Sequence, residues 1–106
     1  LSDWIDVGPA DEIGPGEHRL VDAEGTRIAV FNLDGEFFAI EDVCTHDGGE
    51  LLGGQIEGEH VICPRHGARF CIRTGAALSP PAYEPVPKFP TRVTKGVLQV
   101  RDDRWD

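Results

Sequence analysis

Apolar residues along this chain recur in short runs of β type rather than at helical spacing. Thr26-Arg27-Ile28-Ala29-Val30-Phe31-Asn32-Leu33 and Glu36-Phe37-Phe38-Ala39-Ile40 are rich in β-branched and aromatic side chains, which pack well on a pleated surface. Asp34-Gly35 between them signals a two-residue type I′ hairpin turn, whose central residues both need positive φ. Apolar positions in these runs are adjacent as well as alternate, which predicts two strands buried on both faces. Val97-Leu98-Gln99-Val100-Arg101 alternates more cleanly, and Lys95-Gly96 suits a turn back to a strand ending at Val93. Trp4 to Val7, Glu17 to Val21 and Val61 to Cys63 are shorter strand candidates. No stretch of eleven residues has helical periodicity, and the best local helix candidate is one turn at Pro9 to Ile13, with Pro9 in a first-turn position.

Two segments break the strand pattern. From Glu41 to Gly58 the chain is a glycine-rich loop, and from Leu78 to Pro90 it is dense in proline. Proline fixes φ and removes the backbone donor, so the second segment is expected to be a stiff strap without sheet hydrogen bonds. Thirteen glycines and eight prolines punctuate the remaining runs, as short-stranded sandwiches and barrels require. The expectation is an all-β, antiparallel sandwich with a small inserted subdomain.

At 106 residues the chain is one domain, large enough to bury roughly two-thirds of its unfolded surface without disulfide staples. Its longest apolar runs, Ile28 to Phe31 and Phe37 to Ile40, are far short of a membrane span. No signal peptide is visible, and the expected location is cytoplasmic. Nineteen acidic against ten basic residues give a formal charge of −9. That sign disfavours nucleic acid and anionic membranes, and it serves either attraction to basic patches on protein partners or solubility alone. A monomer is expected.

The chemistry lies in two arms, Cys44-Thr45-His46 and Cys63-Pro64-Arg65-His66, with sixteen residues between them. Two thiolates and two imidazoles suit a mixed-ligand iron–sulfur centre or zinc. Zinc fingers usually place two cysteines in one arm and two histidines in the other, whereas each arm here carries one of each. Cys71 is left over and reads as a small core hydrophobe in a strand. His18, with no cysteine near it, and His60, inside a strand-like run, are assigned to no metal. Gly48, Gly49 and Gly67 can turn backbone N–H groups toward an anionic centre, and Leu51, Leu52 and the proline strap would keep water from its inner edge. Of the nearby charges Asp47, Glu50, Arg65 and Arg69, Arg65 is the best candidate for a partner contact because it lies inside a ligand arm.

These arms resemble the Rieske [2Fe–2S] signature, C-x-H followed by C-x-x-H. Val43-Cys44-Thr45-His46 and Cys63-Pro64-Arg65-His66-Gly67 match its two cluster-binding loops, Phe70 to Gly75 the strand and turn that follow, and Pro80-Pro81 its proline loop. The resemblance covers roughly the whole chain and is specific from Cys44 to Gly75. It implies one Rieske domain over 1–106, with a cluster-binding insert at about 42–76 and a proline-rich loop at about 78–90. It also implies one [2Fe–2S] cluster, with Cys44 and Cys63 on the inner iron and His46 and His66 on the outer, redox-active iron. With two thiolates the oxidised centre is formally neutral, against −2 for a four-cysteine centre, so it accepts an electron more easily. High-potential Rieske proteins of respiratory complexes add a disulfide between the loops and two hydroxyl donors to cluster sulfurs. The matching positions here are Gly49 and Arg65, and Ala68 and Phe70, which implies a potential on the order of −150 mV rather than +300 mV.

Within the family the chain most resembles the small ferredoxins that feed bacterial aromatic-ring dioxygenases. The resemblance implies a soluble one-electron carrier, not itself an enzyme, between a flavin-containing or iron–sulfur ferredoxin reductase and a terminal Rieske oxygenase. The alternative is a Rieske small subunit of a larger redox enzyme, such as a nitrite reductase. An oxygenase in its own right would need a further mononuclear iron site of two histidines and a carboxylate, for which only His18 and His60 remain.

Overall fold

The computed structural model describes residues 3–105. Its strands are β1 (Ile5–Pro9), β2 (His18–Ala23), β3 (Thr26–Leu33), β4 (Glu36–Glu41), β5 (Ile56–Glu57), β6 (His60–Ile62), β7 (Arg69–Cys71), β8 (Lys88–Phe89), β9 (Thr91–Thr94) and β10 (Val97–Val100). They form three antiparallel sheets, ordered β2-β3-β4-β8, β1-β10-β9 and β5-β6-β7. The fold is all-β, and the third sheet is inserted between β4 and β8.

Strand β3 explains the architecture. Its side chains alternate between two apolar cores, and every residue from Ile28 to Leu33 is buried. Ile28 and Val30 pack with Ile13, Ala39, Phe89, Leu98 and Val100, between the two large sheets. Ala29, Phe31 and Leu33 face the other way and pack with Ile40, Leu51, Val61, Phe70, Ile72 and both Cys44 and Cys63. A strand covered by a second sheet on one face and by an inserted subdomain on the other has no polar face to show. The strand pattern of β3 therefore carries both interfaces. Fully burying a side chain such as Phe70 contributes about 1.5–3 kcal/mol.

The Asp34-Gly35 turn has φ of 54° and 93°, as a type I′ turn needs, and it sets the β3–β4 register from Leu33↔Glu36 to Ile28↔Glu41. Glu24-Gly25 makes the same kind of turn between β2 and β3, and Lys95-Gly96 between β9 and β10. Three details differ from expectation. Pro9 ends β1, and the helical turn is a 3-10 turn at Ala10–Glu12. The segment expected to be loop contributes Glu41 to β4, and Ile56 and Glu57 to β5. The proline strap is not free of sheet bonding, because Lys88 and Phe89 pair with Ile40 and Ala39. These two non-proline residues, between Pro87 and Pro90, sit at a sheet edge, where the flanking prolines interrupt no central ladder. Among the described residues, no helix is long and apolar enough to cross a membrane.

Candidate metal centre

The two arms fold into loops with the same backbone hydrogen bonding. In the first, the Cys44 N–H donates to the Gly49 carbonyl (2.7 Å) and the Gly48 N–H to the Cys44 carbonyl (2.7 Å). In the second, the Cys63 N–H donates to the Ala68 carbonyl (2.8 Å) and the Gly67 N–H to the Cys63 carbonyl (3.0 Å). Gly48 and Gly67 close the turns at φ of 76° and 74°, a conformation that side chains with a Cβ adopt at a cost. Each loop hangs from the inserted subdomain or its edge: Cys44 follows β4, and Cys63 to Ala68 links β6 to β7.

This geometry sorts the four residues by depth. Cys44 and Cys63 are 0% and 1% exposed and belong to the apolar core of the subdomain. His46 and His66 are exposed, and their rings meet edge to face with centroids 5.1 Å apart. The donor atoms gather as two separate sets, Cys44 with Cys63 and Asp47, and His46 with His66 and Asp47, each within 4.8 Å. Neither set holds both a cysteine and a histidine. One tetrahedral zinc would need all four donors on a single ion, whereas a binuclear cluster takes a buried thiolate pair at one end and an exposed imidazole pair at the other. Burial pushes the Cys44 thiol up.

Asp47 appears in both sets, yet its oxygens are taken. Arg65 Nε and Nη2 donate to Asp47 Oδ2 and Oδ1 (2.5 and 2.9 Å), and the Gly49 N–H donates to Oδ1 (2.9 Å). The Arg65 hydrogen bonds hold the Asp47 carboxyl well below the usual carboxylate range. Arg65 also donates to the Glu50 carbonyl (3.0 Å). Its fork joins one ligand loop to the other, while the side chain stays 37% exposed. Arg69 pairs with Glu57 (3.0 Å) and Glu50 with Arg27 (3.1 Å).

The apolar lid matches expectation. Leu51 is fully buried and Leu52 packs against the same core, as do Ala82 and Val86 from the strap. The Thr45 hydroxyl donates to the Glu84 carbonyl (2.7 Å), fastening the strap to the first loop. Cys71 departs from expectation. It is half-buried at the end of β7 and belongs to neither core, because in the strand alternation it faces outward between the buried Phe70 and Ile72. Burial raises its thiol, and hydrogen bonds from Thr74 and Arg73 more than offset that, leaving it below the ordinary value. His60 lies in β6 and His18 in β2 beside Phe31; neither joins a ligand set among the described residues.

The sequence profile of the Rieske [2Fe-2S] domain matches residues 3–90. The chain belongs to the Rieske [2Fe–2S] family. Its cofactor is accordingly a Rieske-type [2Fe–2S] cluster, a group that the split donor sets suit. Among curated proteins this Rieske chain is similar to the biphenyl dioxygenase ferredoxin subunit of Pseudomonas sp. (strain KKS102), 45% identical over 78% of this chain and 77% of that one. It is also similar to the 3-phenylpropionate/cinnamic acid dioxygenase ferredoxin subunit of Escherichia coli (strain K12), 38% identical over 83% of each. Among solved structures it is similar to a ferredoxin of Sphingomonas yanoikuyae B1 (TM-score 0.84, 29% identity, 94% of this chain and 99% of that one). A chain from a complex of reduced oxygenase and oxidized ferredoxin in carbazole 1,9a-dioxygenase is similar too (TM-score 0.86, 35% identity, 92% and 91%).

Proposed function

We propose that this Rieske protein is a soluble, low-potential, one-electron carrier of an aromatic-ring dioxygenase system, with Cys44 and Cys63 on the inner iron and His46 and His66 on the outer. When bound, the cluster supplies a one-electron couple. The protein's residues do the rest. The buried thiols and the Leu51, Ala82 and Val86 packing exclude water from the inner end, and the exposed imidazoles present the outer end to a partner. A flavin-containing or iron–sulfur ferredoxin reductase is the electron donor, and a terminal Rieske oxygenase the acceptor. The names of the relatives favour this over a nitrite-reductase subunit. The cluster-binding insert runs over about 42–76, the strap over about 78–90, and the location is cytoplasmic.

The observation that carries the reading is the separation of the donors into a buried sulfur pair and an exposed nitrogen pair. Low potential is supported by Ala68 and Phe70, both fully buried and without a hydroxyl, and by Thr45, whose hydroxyl is turned to the Glu84 carbonyl. The test is metal and sulfide analysis of purified protein. Iron and acid-labile sulfide in equal amounts, with a brown colour, are expected; a colourless protein holding zinc alone overturns the reading.

A further inference from the structure

Asp42 is a buried carboxylate beside the first ligand loop, and the loop explains only half of it. Its side chain is 0% exposed. Oδ1 accepts the N–H groups of Leu51 and Leu52 (2.8 Å each), and its own N–H donates to the Arg27 carbonyl (2.8 Å). Asp42 thus clamps the returning half of the loop to the end of β4. Oδ2 is buried and accepts no hydrogen bond. The cation nearest to it, the Arg27 guanidinium, is 3.7 Å away, lies closer to Glu50 (3.1 Å), and is 45% exposed.

An incompletely paired buried anion is costly. An asparagine carbonyl could accept the same two N–H bonds, so loop closure by itself does not call for the charge. What the charge adds is a field. Asp42 precedes Cys44 by two residues, so their Cα atoms are at most about 7.6 Å apart. Leu51, which it grips, packs in one core with Cys44 and Cys63. Across such a short, apolar path a charge is screened far less than on the surface. Asp47, the other carboxylate beside the ligands, is matched by the two-pronged Arg65.

We propose that Asp42 is a tuning residue: its buried negative charge disfavours the reduced cluster and lowers the potential, and Arg27 is the counterweight that limits the effect. This rests on the cluster assignment above. Removing the anion raises the potential, and removing the cation lowers it.

The test is redox titration of the cluster-loaded wild type, Asp42→Asn and Arg27→Gln, with the visible and electron paramagnetic resonance spectra as a check on the cluster. Asp42→Asn is expected to raise the reduced-to-oxidised ratio at fixed ambient potential by about tenfold, which is about 59 mV for a one-electron couple. Arg27→Gln is expected to shift it the opposite way. The Asp42→Asn shift persists in about 1 M salt, where a surface charge is screened within about 3 Å. Shifts of the same sign, an Asp42→Asn shift under twofold, or an Asp42→Asn shift abolished by salt overturn the proposal. Where Asp42→Asn does not hold a cluster, Arg27→Gln decides alone: a lower potential supports the counterweight, and an unchanged one overturns it. A wild type without a Rieske spectrum would instead fail the cluster assignment.

Discussion

Arg65 in the second ligand loop grips Asp47 in the first through two parallel hydrogen bonds, 2.5 and 2.9 Å long, with its guanidinium lying against Gly49. The positions that match the disulfide cysteines of respiratory Rieske proteins are Gly49 and Arg65. The loops that a covalent bond joins there are joined here by a charged fork. The clasp also consumes the charges of both partners, so it holds the site without giving the tip a strong sign.

Opening the clasp should loosen the cluster before it unfolds the domain. Arg65→Ala is expected to speed cluster loss to an iron chelator by roughly tenfold, in line with other outer partners of metal ligands. Arg65→Lys should not rescue it, because an ammonium cannot form the parallel pair. Gly49→Ala should act in the same direction, since its Cβ would lie 2.5 Å from the guanidinium. Following visible absorbance in chelator, beside urea unfolding of each variant, separates the two effects.

The ligand assignment predicts an asymmetry between two residues only five positions apart. His66→Ala should lose or destabilise the cluster, because an exposed imidazole of the outer pair is removed. Cys71→Ser should leave the visible spectrum nearly intact, since Cys71 stands outside both donor sets. Iron and sulfide content measured with the spectrum checks both, and bleaching in Cys71→Ser would refute the assignment.

Away from the cluster, acid stability should depend on Asp102. It is buried, and Arg104 donates to it from Nε (2.9 Å) and Nη2 (2.8 Å) while also reaching Glu41 (2.9 Å) and lying over Phe89. The hydrogen bonds from Arg104 lower the Asp102 pKa to about 2 from the ordinary 3.8. The ionised form is therefore favoured by folding, and its contribution is present above about pH 4 and fades as pH falls toward 2. With Arg104 a third exposed, it is worth on the order of 1–2 kcal/mol. Urea unfolding should show Asp102→Asn less stable at pH 7 and the difference shrinking by pH 3; a constant difference would rule out the linkage.

What could be read in the sequence was what is local. The hairpin turn at Asp34-Gly35 and the doubly buried β3 follow from a dipeptide and an alternation, and the four donors from two short spacings. The Asp47–Arg65 clasp could not be read, because its partners are eighteen residues apart and meet only when both loops have folded. The signal was present in hindsight: an acid one residue after His46 and an arginine one residue before His66. Lys88-Phe89 was hidden by its prolines, which mark a strap but do not forbid an edge strand. Cys71 was misplaced because the apolar side chains around it, Phe70 and Ile72, are core while it faces outward between them.

The last prediction concerns the potential itself. Ala68 and Phe70 are fully buried beside the second loop, and Ala68 already gives its carbonyl to the Cys63 N–H. The resemblance to respiratory Rieske proteins implies hydroxyl donors to cluster sulfur at these two positions, and such a donor would stabilise the added electron. The wild type should titrate on the order of −150 mV, with Ala68→Ser and Phe70→Tyr each more positive. A hydroxyl that found no acceptor would instead cost about 1–3 kcal/mol of stability with no change in potential, so titration and urea unfolding together tell a new hydrogen bond from a buried, unpaired group. A clearly positive wild-type potential would remove the low-potential assignment, and unmoved variants would show that hydroxyl donors are not what separates this chain from the respiratory proteins.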